Sequence, residues 1–292
     1  MSILLNHAAL ALLLGILFSL ILNPSENFIS KKIGSPLLQI GIVILGGSIS
    51  VASVVETTSS FFMWISIFVI ATFFAGIFLG KLLKVSNTQS YLLASGTAIC
   101  GGTAMAAIAP ILKAKPRDYN VVITIVFVLN AIAVVVFPIV AINIGLTEIQ
   151  FGFWSALAIH DTSSVLGSAS IIGDKAMEVA TTLKMGRTVW IVPLVVFSAW
   201  FFSEKRNNSG LPIFVIFFAF AVILNYLINP SEGVEAFLRE INKIFLLSGL
   251  FCIGTQTDRS IFKDLNTKPI YMAVGLWVVI VPLSLLLVIS LI

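Results

Sequence analysis

Long apolar runs separated by short polar punctuation dominate the chain, and the runs recur at about 20 residues, the length a helix needs to cross the hydrocarbon of a bilayer. Ten segments stand out: 3–22, 36–55, 62–83, 89–112, 120–144, 150–172, 176–203, 210–228, 240–257 and 269–291. The connections carry turn chemistry, as in Asn23-Pro24-Ser25, Lys113-Ala114-Lys115-Pro116-Arg117, Glu204-Lys205-Arg206-Asn207-Asn208 and Asn266-Thr267-Lys268-Pro269. A membrane barrel would show short alternating segments instead, and the chain lacks them. The pattern predicts an all-α membrane protein of about ten transmembrane helices, with residues 1–292 forming a single polytopic domain. The first segment has no basic leader region and no small-residue cleavage site, so it is expected to be retained as a span.

Composition agrees: 59% of residues are hydrophobic and 10% charged, where an ordinary soluble domain carries roughly 25% charged residues. The net charge of +4 comes from Lys and Arg scattered through loops, without a stripe that could hold nucleic acid, so it bears on topology. If all ten segments cross, the loops after odd-numbered spans carry Lys31, Lys32, Lys81, Lys84, Lys205, Arg206, Arg259, Lys263 and Lys268. The other side carries Lys113, Lys115, Arg117, Lys175, Arg239 and Lys243, and also Lys184 and Arg187 if the early turns of span seven are counted with it. Basic residues favour the cytoplasmic side, so the termini are expected outside, by a thin margin.

The chain also echoes itself. "SLILNPSEN" (19–27) closes the first segment and "NYLINPSEG" (225–233) closes the eighth, and each precedes a segment with small residues at its middle. Spans one and eight begin on opposite sides, as inverted repeats require. Spans four and six also look alike, "TAICGGTA" beside "LAIHDTSS", yet ten crossings make them point the same way. Either that pairing is accidental or one of the two does not cross fully.

Those two segments carry the candidate chemistry. In 95–110, Gly96, Gly101 and Gly102 free the backbone, Thr97 and Thr103 offer hydroxyls beside Cys100, and Pro110 withholds an amide. One reading is close helix packing by small residues. The other is a helix break lining a wet cavity, with a half-helix N-terminus suited to an anion. In 156–170, His160, Asp161, Thr162, Ser163 and Ser164 stand together in an apolar run. An ionised acid at such a depth costs about 2.5–3.5 kcal/mol on insertion scales, which marks the segment as functional unless His160 and Asp161 satisfy each other or neighbouring backbone, or the segment is a loop. His160 could exchange a proton near neutral pH, Asp161 could hold a proton or cation, and the hydroxyls could donate to an oxyanion. Downstream, Lys184 and Arg187 share one helical face; they either snorkel to headgroups or contribute charge to the site. Gln256, Thr257, Asp258 and Arg259 read as a polar loop start, and His7 and Glu56 as surface-facing.

Enzyme motifs are missing: the chain has no HExxH, P-loop or GxSxG and only two histidines. An enzymatic role, a cofactor and a metal site are therefore not expected. Cys100 and Cys252 lie in apolar segments and form no disulfide framework.

The stretches "GTAICGGTAMAAIAPILKAK", "ALAIHDTSSVLGSA…ATTLKMGR" and "FLLSGLFCIGTQTDRSIFKDL", in this order, resemble the UPF0324 membrane proteins, a family described as sulfate exporters, along almost the whole chain. The resemblance implies a fold related to bile acid sodium symporters and arsenite exporters: ten helices, inverted repeats, and two discontinuous helices crossing near the midplane. Where such members carry His-Glu and a Gln-containing run, this chain has His160-Asp161-Thr162-Ser163-Ser164, and Ala109 stands where some have an acid.

The expected function is secondary active transport of small anions by alternating access in a bacterial inner membrane, most simply export of sulfate or a related sulfur oxyanion. Thr97, Cys100, Gly101, Gly102, Thr103, Thr162, Ser163 and Ser164 would bind substrate; His160 and Asp161 would couple H+ or Na+; Lys184 and Arg187 would add positive potential. Membrane lipid is an expected partner, nucleic acid is not, and a homodimer is an open option. An anion channel, a sodium-coupled organic acid uptake carrier and a membrane-embedded enzyme or assembly partner are the alternatives.

Overall fold

In a computed structural model that describes residues 7–24, 28–48, 59–204, 213–255 and 267–291, these residues form helices joined by short turns and breaks, with no strand among them. Thirteen helices follow in order: α1 (His7–Leu22), α2 (Ile29–Ser48), α3 (Ser59–Leu82), α4 (Asn87–Ala98), α5 (Gly102–Leu112), α6 (Pro116–Ile144), α7 (Glu148–Ala158), α8 (Thr162–Ile172), α9 (Asp174–Val189), α10 (Ile191–Glu204), α11 (Ile213–Ile228), α12 (Glu232–Gly254) and α13 (Lys268–Leu291). Four helical stretches, Phe61–Leu82, Pro116–Ile144, Asp174–Phe202 and Lys268–Ser290, are each long and apolar enough to cross a membrane. The third of these joins α9 and α10 through Trp190; Pro193 lacks the N–H that would reach the Val189 carbonyl, which accounts for the local interruption. Gln256 to Arg259, Glu56 and the 205–208 loop lie outside the described residues.

Segments four and six do break where glycine and polar residues interrupt them, but they do not continue onward. The carboxylate of Glu148, in the first turn of α7, accepts hydrogen bonds from the Lys175 amide at 3.0 Å and the Ala176 amide at 3.4 Å, at the start of α9. A rod running from residue 148 to 173 would hold those ends more than 35 Å apart, at about 1.5 Å per residue. α7 and α8 therefore fold back as a hairpin. Likewise Gln89, at the start of α4, donates to Asp118 at the start of α6 at 2.8 Å, so α4 and α5 form a second hairpin. Each leg has 11 or 12 residues, about 16–18 Å, roughly half the hydrocarbon thickness. The expectation of two full crossings there is corrected: an apolar window of 24 residues has the same composition whether it runs on or returns.

The hairpins enter from opposite ends. Hairpin α4–α5 opens at the end marked by the Ser30–Thr255 hydroxyl contact and the Asn120 amide to the Ile253 carbonyl. Hairpin α7–α8 opens at the end marked by Asn225 donating to the Gly47 carbonyl. Helices α1, α2, α11 and α12 pack on one another, while α3, α6, α9, α10 and α13 surround the hairpins. Glycines set the close approaches: Gly76 and Gly80 seat α3 on Ala94 and Ser90 of α4, and Gly152 seats α7 on Ala176 and Val179 of α9. Replacing Glu148 with Ala removes the carboxylate that closes the second hairpin's mouth and caps α9. Loss of an N-terminal cap costs about 0.5–2 kcal/mol, so the variant is expected to unfold a few degrees below the wild type in a thermal ramp; an unchanged Tm would place the closure elsewhere.

Candidate functional site

The tips of the two hairpins meet. A Cβ placed on Gly101 would sit 3.5 Å from His160 Cβ and 3.6 Å from the Asp161 amide nitrogen. The junction lies beside the middle of α6, where Asn130 Oδ1 accepts from the His160 amide at 3.2 Å and Phe127 and Ile123 face Gly102. Arg187, near the middle of the α9–α10 rod, lies on its other side.

Each break is built from local sequence. In the first, the Gly101 amide donates back to the Gly96 carbonyl at 2.8 Å, a six-to-one bond that closes a helix C-terminus. Gly101 then adopts φ 62° and ψ −117°, a conformation that only glycine takes without strain. In the second, Ile159 and Asp161 are extended, and Asp161 caps α8 by accepting from the Ser164 amide at 3.1 Å and the Ser164 hydroxyl at 3.2 Å.

A reversal at membrane depth leaves two helix C-termini with unpaired carbonyls, which hydrocarbon cannot satisfy. Arg187 supplies the donors. Its Nη1 bonds the Ala156 and Leu157 carbonyls of α7 at 2.6 and 2.7 Å. Its Nη2 bonds the Thr97 and Ala98 carbonyls of α4 at 2.8 and 2.7 Å, and its Nε reaches Ala98 at 3.3 Å. Lys184 Nζ donates to the Ile159 carbonyl at 2.8 Å. Both side chains are 0% exposed, and the Arg187 guanidinium also lies over the Phe68 ring, 5.6 Å from its centroid. Neither residue snorkels. The cations sit at the negative ends of two half-helix dipoles, where positive charge is stabilised.

The same reversal aims two half-helix N-termini, those of α5 and α8, into the junction. Two side chains there lack hydrogen-bond partners within the protein: both ring nitrogens of His160, which is 1% exposed, and Nδ2 of Asn130, which is 2% exposed. Buried polar atoms are seldom left so, and each such group calls for a partner such as a water, an ion or a ligand. Lys184 and Arg187 outnumber Asp161 among the charged side chains of the junction.

Of the residues singled out in the sequence, Thr97, Cys100, Gly101, Gly102, His160 and Ser164 are buried at the two tips, while Thr103, Asp161 and Thr162 are half-buried there. Ser163 lies in the first turn of α8, and its side chain is outside the described set. Asn130 was not anticipated. Its signal is an amide at the middle of the 29-residue, largely apolar α6, whose other amides, Asn120 and Asn143, lie toward its ends; at that depth it needs a polar partner.

Paired hairpins meeting inside a helical bundle around buried charge define a multi-pass membrane protein with a polar centre. The family model described as "Conserved hypothetical protein 698" matches residues 3–273. A UPF0324 membrane protein of Bacteroides thetaiotaomicron is 38% identical over 272 residues, covering 92% of this chain and 82% of the relative. One from Vibrio vulnificus is 37% identical over 281 residues, covering 94% and 90%, and one from Geobacter sulfurreducens is 37% identical over 278 residues, covering 95% and 89%. The chain belongs to the UPF0324 family and is an integral, multi-pass membrane protein. No solved structure matches it.

Proposed function

We propose that this protein is a secondary active carrier of small oxyanions, working by alternating access in a bacterial inner membrane, with sulfate or a related sulfur oxyanion as the substrate class to test first. The observation that carries the reading is the tip-to-tip junction: two half-helix N-termini, two buried cations, the unpartnered ring nitrogens of His160 and the unpartnered amide nitrogen of Asn130 converge halfway through the bundle. Preorganised N–H groups and dipoles of this kind hold anions without a metal. His160 and Asp161, side by side at one tip, are the groups placed to link H+ or Na+ to the passage of the anion.

Alternating access draws support from internal symmetry. Treating each hairpin as re-entrant makes α1, α2, α3, hairpin α4–α5 and α6 correspond, with opposite orientation, to α11, α12, α13, hairpin α7–α8 and the α9–α10 rod. The second set is circularly permuted along the chain. Packing follows the same rule: Gly15 of α1 backs onto Phe251 and Gly254 of α12, and Gly46 of α2 receives Phe218 of α11. Under this scheme "TAICGGTA" and "LAIHDTSS" are inverted counterparts, which ten crossings did not allow.

Purified protein in liposomes is expected to exchange labelled sulfate for internal sulfate with saturable kinetics. Current without saturation or exchange would make the protein a channel. His160→Ala and Asp161→Asn are each expected to abolish gradient-driven uptake while remaining folded and inserted, and normal driven uptake in both would remove the coupling assignment.

A further inference from the structure

We infer that the anion binds at the N-terminus of α5 alone, because Asp161 is a tethered carboxylate that already serves the N-terminus of α8. This deepens the carrier reading and rests on it. The two tips align residue for residue, with Ala98-Ile99-Cys100-Gly101-Gly102 beside Ala158-Ile159-His160-Asp161-Thr162. At the N-cap of α8 stands Asp161, whose carboxylate accepts from the Ser164 amide and hydroxyl. At the N-cap of α5 stands Gly101, which has no side chain of its own to accept from the first turn.

The first amides of a helix have no intrahelical acceptor. Ala104 donates to Cys100 Sγ, and Met105 bonds back to the Gly101 carbonyl at 3.2 Å. Gly102 and Thr103 are thus the forward donors of α5. A second observation points to a ligand at the same junction. His160 has its Cβ against Gly101 and is 1% exposed; both its ring nitrogens are unpartnered, and so is Nδ2 of Asn130, the amide whose Oδ1 accepts from the His160 N–H.

Because α8 carries the Asp161 carboxylate at its N-terminus and α5 carries none, the ligand suited to α5 is a single small oxyanion head, a carboxylate or a sulfur oxyanion, that accepts from the Gly102 and Thr103 amides. Arg187 is committed to four carbonyls and contributes positive potential only; it is not a ligand.

The test uses the purified full chain in detergent, thermal unfolding, and sodium sulfate, sodium acetate and sodium chloride at equal ionic strength. A ligand that prefers the folded state raises Tm by mass action. Sulfate and acetate are expected to raise the wild-type Tm and chloride is not. Thr103→Asp puts a carboxylate in the first turn of α5, and it is expected to raise the ligand-free Tm and cancel the oxyanion shift, while Thr103→Asn keeps that shift. Asp161→Asn is expected to lower the ligand-free Tm and keep or enlarge the shift, since α8 then also accepts an anion. A Thr103→Asp protein that keeps the full shift, or an Asp161→Asn protein that loses it, moves the anion to α8; this overturns the inference and leaves the carrier intact. The expected Tm pattern without sulfate exchange in liposomes does the reverse. No shift in wild type with either oxyanion overturns both.

Discussion

Replacing Arg187 with Met should leave little or no folded protein, although the change removes a buried charge. The side chain lengths are similar, so the cavity term is small. What changes is the fate of the Thr97, Ala98, Ala156 and Leu157 carbonyls, which accept five hydrogen bonds from Arg187. Each buried polar group left unpaired costs about 1–3 kcal/mol. Four of them are enough to consume most of a stability of about 5–15 kcal/mol. Lysine cannot substitute, because an ammonium is a single point with three donors, whereas the planar guanidinium spans two hairpin legs at once. Arg187→Lys is therefore expected to fold with a Tm depressed by on the order of 10 °C, given about 2–4 °C per kcal/mol for chains somewhat smaller than this one. Size-exclusion profiles and thermal ramps in detergent report both effects. An Arg187→Met protein that melts within a few degrees of wild type would show that those carbonyls have other partners.

The physical basis of that prediction separates what the amino-acid sequence discloses from what it conceals. Apolar run length identifies the helices, and the breaks at Gly101–Gly102 and at His160-Asp161 show because glycine and clustered polar side chains are rare in a continuous membrane helix. The direction taken after each break is hidden, since it is decided by contacts far apart in sequence: Glu148 with the Lys175 amide, and Gln89 with Asp118. The role of Arg187 is hidden for the same reason. A basic residue some ten positions into a span normally reaches for headgroups; here the reversing hairpins bring unpaired carbonyls to it, and no pattern within α9 announces them. Asp161 was legible as unusual, but its capping of α8 depends on the helix starting at Thr162.

Thiol labelling across the membrane should place residues 84 and 113 on the same side, and this decides between the two topologies outright. In a background lacking Cys100 and Cys252, single cysteines at Lys84 and Lys113 are expected to react together with an impermeant reagent, on one face only. A cysteine at Lys175 should react from the opposite face. A continuous span between 89 and 112 would instead put residues 84 and 113 on opposite faces, and that outcome would dismantle the hairpin, the inverted pairing and the junction with it. Charge already favours the hairpin. Lys31, Lys32, Lys81, Lys84, Lys113, Lys115, Arg117 and Lys268 fall at the end where hairpin α4–α5 opens, and at the other end stand Lys175 and Arg239, with Lys243 midway along α12. The excess of basic residues marks the cytoplasmic side. Ten crossings split these charges almost evenly; eight crossings with two re-entrant hairpins gather them, because folding α4–α5 back brings Lys113, Lys115 and Arg117 round to join Lys81 and Lys84. The labelled face carrying residues 84 and 113 is accordingly expected to be the cytoplasmic one, with both termini outside.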